Sequence, residues 1–188
     1  MQHRLFTAFS DDMAELGERV PVVDPRVDLT AIFARLDLVA LLGAYRDYLQ
    51  RLKQKGSNPW RGHPRRHDLH LREAVGHFHL YWWLVEATGR RFLITPEFPT
   101  GNGKVDLHLK AGAQSGVVEV KSFTQRSDLP QQKEQAARYA RSQGLSAATL
   151  ALFVPTDDET LAAELCAEDT ISITGQPVQV STVAIAAA

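Results

Sequence analysis

The amino-acid sequence predicts an α/β (α+β) fold, a mixed central sheet flanked by helices and preceded by an N-terminal helical extension. Three observations carry this expectation. Up to about Thr88, apolar residues recur at three- and four-residue steps, the spacing of one helix face. After Gly89 the period drops to two, the spacing of a half-buried strand. Further on, the nearly all-apolar run Ala148 to Val154 stands between two helical stretches, as a strand buried on both faces does.

Each element follows from its own residues. Over residues 30–55, Ile32, Phe33, Leu36, Val39, Leu42, Tyr45, Leu49 and Leu52 keep the helical period, with Gly56 as the stop. Asp37 is the one place where that run can break. Residues 57–67 read as a loop from their Pro, Gly and Asn content. Asp68 caps a second helix, carried by Leu71, Val75, Phe78, Trp82 and Val85 to about Thr88 and stopped at Gly89. Arg91 to Phe98 is a strand weakened by Pro96. Lys104 to Lys110 alternates cleanly, residues 111–116 turn, and Val117 to Lys121 returns as its hairpin partner. Pro130 opens a helix that runs to Gln143. Thr156-Asp157-Asp158-Glu159 is a capping-box pattern for a helix to about Glu168. Residues 171–174 and 178–185 form a last hairpin around Gly175-Gln176-Pro177. The expected division is a helical extension over 1–60 and the sheet-bearing domain over 61–188.

Composition narrows the classes. With 188 residues, 44% hydrophobic and 23% charged, the chain is not a disordered tail, a collagen or a coiled-coil rod. No apolar run approaches the roughly 20 residues that span a bilayer, and the first residues lack the apolar stretch of a secretion signal. Cys166 is the only cysteine, so neither an internal disulfide nor a cysteine-based zinc site can form. A cytoplasmic protein without a membrane partner is expected. The net charge of −1 conceals a polarised chain. Four Lys/Arg face seven Asp/Glu in residues 1–45, seventeen face nine in 46–141, and none faces six in 142–188. A basic middle is what a polyanion seeks.

The chemistry lies in that same middle. Residues two apart on a strand share a face, so Lys104, Asp106, His108 and Lys110 point one way while Val105, Leu107 and Leu109 point the other. Glu119 and Lys121 likewise share a face opposite Val118 and Val120. Charged groups set inside a sheet need partners or a task. The bland alternative is a surface ion pair of Glu119 with Lys121 or Lys104.

Gly103-Lys104-Val105-Asp106, a turn, and then Val117-Val118-Glu119-Val120-Lys121 resemble the motif of the PD-(D/E)XK nuclease superfamily. Glu73, on the preceding helix, sits where many members carry a first acidic residue. Gln135-x-x-x-Tyr139 on the following helix resembles the Q-x-x-x-Y motif of the RecB-like branch. The similarity covers roughly residues 68–154, and Asn102-Gly103 stands in place of the proline that names the motif. The resemblance implies a restriction-endonuclease-like α-β-β-β-α-β core and a metal-dependent deoxyribonuclease hydrolysing phosphodiester bonds. It also extends to nuclease-like domains at the ends of some bacterial AAA-type ATPases, which makes an ATPase or a second copy of the chain candidate partners. A non-catalytic DNA-binding or assembly module of the same fold is the alternative.

On the nuclease reading, Asp106 and Glu119 bring two carboxylates to one Mg²⁺ or Mn²⁺, with the Val120 carbonyl as a third oxygen, because Mg²⁺ takes one or two carboxylates and keeps several waters. Lys121 orients the nucleophile or stabilises developing charge. Glu73 has three open roles: metal ligand, ligand of a second metal, or holder of a metal water. Gln135 and Tyr139, four apart on one helix face, reach phosphate or position the metal ligands. Five of seven histidines lie between His63 and His79, at spacings unlike a structural zinc site. The resemblance leaves His77 or His70 as a helical addition to the metal shell. For DNA, the basic stretch before the site supplies Arg61, Arg65, Arg66 and Arg72, with Lys104 on the strand. Trp60 is either a base-stacking residue or the pin of its loop, and Trp82 belongs to the helix core.

Overall fold

The structure, a computed structural model, describes residues 20–62, 73–89, 91–100 and 103–188, including their side chains except those of residues 97–100 and 103–105. Among these lie helices α1 (Leu29–Arg35), α2 (Leu38–Gln54), α3 (Glu73–Thr88), α4 (Leu129–Ser142) and α5 (Glu159–Ala163). The strands are β1 (Leu93–Thr100), β2 (Gly103–Ala111), β3 (Gln114–Ser122), β4 (Ala147–Val154), β5 (Ala167–Ile173) and β6 (Gln176–Ala186). They form one six-stranded sheet in the order β1-β2-β3-β4-β6-β5. β1, β2 and β3 pair antiparallel, β3, β4 and β6 run parallel, and β5 closes the far edge antiparallel to β6. The mixed α/β class expected from the sequence is the class observed.

Local chemistry accounts for the boundaries. The long N-terminal helical run is two helices: Leu36 turns left-handed (φ 48°), and the Asp37 carboxylate accepts the Ala40 N–H to cap α2. β1 tolerates Pro96 because it is an edge strand. Gly112, with φ 58°, supplies the first corner of the tight turn between β2 and β3. Pro130 sits in the first turn of α4, as expected. The last helix differs from expectation. Asp158, not Thr156, is its cap, accepting from Thr160 and Leu161 N–H, and the helix ends at Ala163. Residues 167–173 instead pair along β6, so the demand of a long strand for a partner overrides the helical pattern expected to Glu168. The final turn is Thr174-Gly175, both at positive φ, and Pro177 lies within β6 opposite Ser172.

The sheet separates two layers of helices. On one face, Leu107, Leu109, Val118, Val120, Ala151, Phe153, Val183 and Ile185 pack with Leu41, Tyr45, Leu49 and Leu52 of α2 and Leu80, Trp83 and Leu84 of α3. This core crosses residue 60. Trp60 itself is fully buried, 4.9 Å from the His79 ring and edge-on to Phe153 at 5.6 Å. On α3 it is Trp83 that is buried, while Trp82 is only partly covered. The other face carries α4, whose Ala136, Ala137 and Ala140 lie on Val117, Ala148, Val178 and Val180. Ala162 and Leu165, in and after α5, cover Leu152, Val154, Ala184 and Ala186 on the same face.

One glycine fixes how closely α3 approaches the sheet. A Cβ on Gly76 would stand 2.7 Å from the Phe153 ring. Gly76 lies one turn from Glu73 and beside His77, so this contact sets where both side chains stand. Gly76→Ala should lower the melting temperature, because overpacking costs about 1–3 kcal/mol against a propensity gain of at most about 1, and each kcal/mol is worth about 2–4 °C at this size. Adding Phe153→Leu should recover part of the loss in a double-mutant cycle. Strict additivity of the two changes would show that the contact does not govern the approach.

Candidate active site

The register of β2 and β3 puts the site together. Their ladder ends at the pair Leu107–Val118. One step further out, the Val120 N–H is taken by the Asp106 side chain (2.8 Å) rather than by backbone. Since N–H and C=O of one strand residue point the same way, the Val120 carbonyl also faces the gap between the strands. Leu107 and Val118 belong to the α2/α3 core; by strand parity Asp106, Glu119 and Lys121 project to the opposite face, under α4. His77, 7% exposed on α3, pins β2 from the other side, its Nε2 lying 2.9 Å from the Asp106 carbonyl oxygen.

Glu119 is 1% exposed, so the surface-pair alternative does not hold. Its Oε1 accepts from Gln135 Nε2 at 2.7 Å and from the Lys121 ammonium at 2.8 Å. The same Gln135 nitrogen reaches the Tyr139 hydroxyl at 3.1 Å. Glu119 Oε2 is buried with no hydrogen-bond partner among the described residues. The Lys121 ammonium also stands 3.4 Å from Glu73 Oε1 and 3.9 Å from Asp106 Oδ2. Glu73, half exposed, thus marks the solvent rim and Glu119 the floor. A groove of about 510 Å³ along α4, lined by Gln131, Glu134, Gln135, Arg138 and Tyr139, leads from solvent toward Gln135.

The electrostatics follow from burial. Desolvation first, and then the neighbouring Asp106 carboxylate, push the Glu119 carboxyl up to about 8, against the pull of Lys121. Burial works against the Lys121 charge, but Glu119, Glu73 and Asp106 outweigh it and hold the ammonium above the usual lysine range. Lys121 is therefore a firm cation beside a glutamate that takes a proton far more readily than one in water.

Six residues singled out in the sequence converge here: Glu73, Asp106, Glu119, Lys121, Gln135 and Tyr139. Trp60 does not, and its complete burial removes it as a base-stacking residue. Arg61 is exposed. Arg65, Arg66, Arg72, His63, His67, His70 and the cap Asp68 lie outside the described residues, as does the Lys104 side chain. Sequence spacing placed His77 on the face of Glu73, but its main-chain target had no signal in the sequence. Among the described residues no three His, Cys, Asp or Glu side chains come close enough to hold a metal ion by themselves. Two carboxylates with oxygens within 4 Å of one nitrogen, one unpartnered Glu119 oxygen and a carbonyl facing the gap do fit a hard cation that keeps most of its waters.

Residues 68–156, just under half the chain, match the family described as Domain of unknown function (DUF8371). That stretch spans all six converging residues. No curated protein and no solved structure matches the chain.

The raised Glu119 carboxyl carries a pH signature with a definite sign. A group whose folded pKa is raised contributes stability below its ordinary value, near 4.5, and loses it as pH climbs through about 8. In the presence of a chelator, Glu119→Gln should match wild-type stability under acid conditions and exceed it by several degrees in melting temperature at mildly alkaline pH. A difference that is constant across that window would contradict a buried, proton-hungry Glu119.

Proposed function

We propose that this chain is a metal-dependent deoxyribonuclease of the PD-(D/E)XK type. The observation that carries the reading is the convergence of Asp106, Glu119 and Lys121 where β2 and β3 part, with Gln135 of the following helix on Glu119 and Glu73 on Lys121. The helix, three strands, helix, strand order of α3 through β4 is compatible with the restriction-endonuclease-like core implied by the same resemblance. Asp106, Glu119 and the Val120 carbonyl would hold Mg²⁺ or Mn²⁺. When bound, such an ion neutralises charge on the scissile phosphate and acidifies a water.

The chain's own groups do the rest. Gln135 fixes Glu119 Oε1 through its amide and is itself steadied by Tyr139. His77 holds the strand that presents Asp106. Lys121, a permanent cation on a flexible stem, supplies positive charge for the oxygens of the phosphate as negative charge develops there. Arg61, exposed beside the buried Trp60, begins the arginine-rich stretch that would meet the phosphate backbone. The lone Cys166 thiol suits a reducing cytoplasm, and among the described residues no helix is long and apolar enough to cross a membrane. The non-catalytic module remains the second reading, favoured by one observation: the Lys121 ammonium lies within 4 Å of both the Glu119 and Asp106 carboxylates and offsets their charge.

Cleavage of plasmid and linear DNA with and without Mg²⁺ or Mn²⁺ decides between them. Wild type should cut only with metal, and Asp106→Ala should lose cutting by several orders of magnitude while still binding DNA. Binding without cutting by wild type would favour the module. Neutralising Arg61, Arg65 and Arg66 together should weaken binding at every sequence and flatten the dependence of log K on log salt by roughly 0.7–0.9 per lost phosphate contact. An unchanged slope would remove that stretch from the interface.

A further inference from the structure

We propose that Lys121 is an internal stand-in for the divalent cation: its ammonium occupies the carboxylate cluster, and metal binds by displacing it and freeing it toward the substrate phosphate. The proposal rests on the reading of Asp106 and Glu119 as metal ligands. Its basis is the set of contacts the ammonium makes. Among the described residues its ion-pair contacts are to Glu119 Oε1, Glu73 Oε1 and Asp106 Oδ2, at 2.8, 3.4 and 3.9 Å. Among the described residues no other cationic side chain forms an ion pair with any of these three carboxylates.

A hard divalent ion draws carboxylate oxygens to roughly 2.0–2.6 Å. An ammonium still pressed on the same oxygens would then stand beside a doubly charged ion in a site that water screens poorly. Their repulsion favours displacement of the lysine, whose stem is built to move: it has four methylenes and a point charge that needs no fixed plane. The Gln135 amide stays on Oε1 meanwhile, so Glu119 need not rotate. Glu119 Oε2, buried and without a partner among the described residues, would be open to an ion, whereas Glu119 Oε1 and Asp106 Oδ2 would be contested with the ammonium. The ordering that results is metal first and phosphate second, because the lysine reaches its phosphate-binding position only once its three carboxylates have a replacement cation.

The experiment is calorimetric titration of the full chain with Mn²⁺ at fixed pH and ionic strength, in wild type, Lys121→Met, Lys133→Met and Asp106→Ala. Lys133, on α4 and engaged with Asp169, controls for the general effect of removing one positive charge. Lys121→Met should bind Mn²⁺ on the order of tenfold more tightly than wild type, Lys133→Met within about twofold, and Asp106→Ala should lose the site. In parallel, the rate at which acetic anhydride acylates Lys121 in wild type, read by mass spectrometry, should rise several-fold when Mn²⁺ saturates the chain. This second measurement stands even if Lys121→Met folds poorly. Equal affinity in Lys121→Met and wild type, or acylation indifferent to metal, overturns the proposal while leaving Asp106 and Glu119 as ligands. Absence of Mn²⁺ binding in every variant overturns both the proposal and the nuclease reading.

Discussion

The hydrogen bond from the Val120 N–H to the Asp106 carboxylate is the contact around which the rest of the site is arranged. A β-ladder normally consumes such a donor with the neighbouring strand's carbonyl. Here a side chain does so, and the two strands are released from each other just beyond Leu107 and Val118. The separation gives a polar cluster room beside the apolar core residues of the sheet. The helices on both faces each send a side chain to this region, His77 of α3 to the main chain of β2 and Gln135 of α4 to Glu119.

Placing a carboxylate at 1% exposure is costly, and the surrounding residues distribute that cost. Gln135 and Lys121 both donate to one oxygen, and the other has no partner among the described residues. An asymmetric arrangement of that kind is a poor way to stabilise a fold, since hydrophobic replacement of a buried ion pair is often neutral or better. It is a sensible way to keep a strong acceptor ready. The alanine-rich contact of α4 with the sheet serves the same end: small side chains let the helix lie close enough for Gln135 to span the distance.

Much of this was legible in the residues. Strand parity put Asp106, Glu119 and Lys121 on one face, and a four-residue step put Gln135 beside Tyr139, because both periodicities are properties of the backbone alone. The split at Asp37 was readable for the same reason, a capping side chain acting on its own neighbours. What stayed hidden depended on distant partners. Trp60 reads equally as a base-stacking residue or as the pin of its loop until Phe153 and His79 are known to close over it. The burial of Trp83 rather than Trp82 turns on which face of α3 meets α2, and the short α5 turns on the unpaired length of β6. That His77 would address a carbonyl required knowing how near α3 comes to β2, which Gly76 settles against Phe153.

That His77 grips a main-chain atom has a consequence for how such a protein can change over evolutionary time. The tether reads the carbonyl of residue 106 whatever side chain the position carries, so this one hold on the strand survives loss of the acid, although the Val120 N–H then loses its acceptor. Position 106 is thus held twice, once through its main chain and once through its side chain, and a substitution there removes only the second hold. Position 76 offers no such freedom, since any side chain there meets an aromatic ring. A population of descendants would accordingly be expected to vary sooner at position 106, which keeps one hold whatever its side chain, than at the glycine.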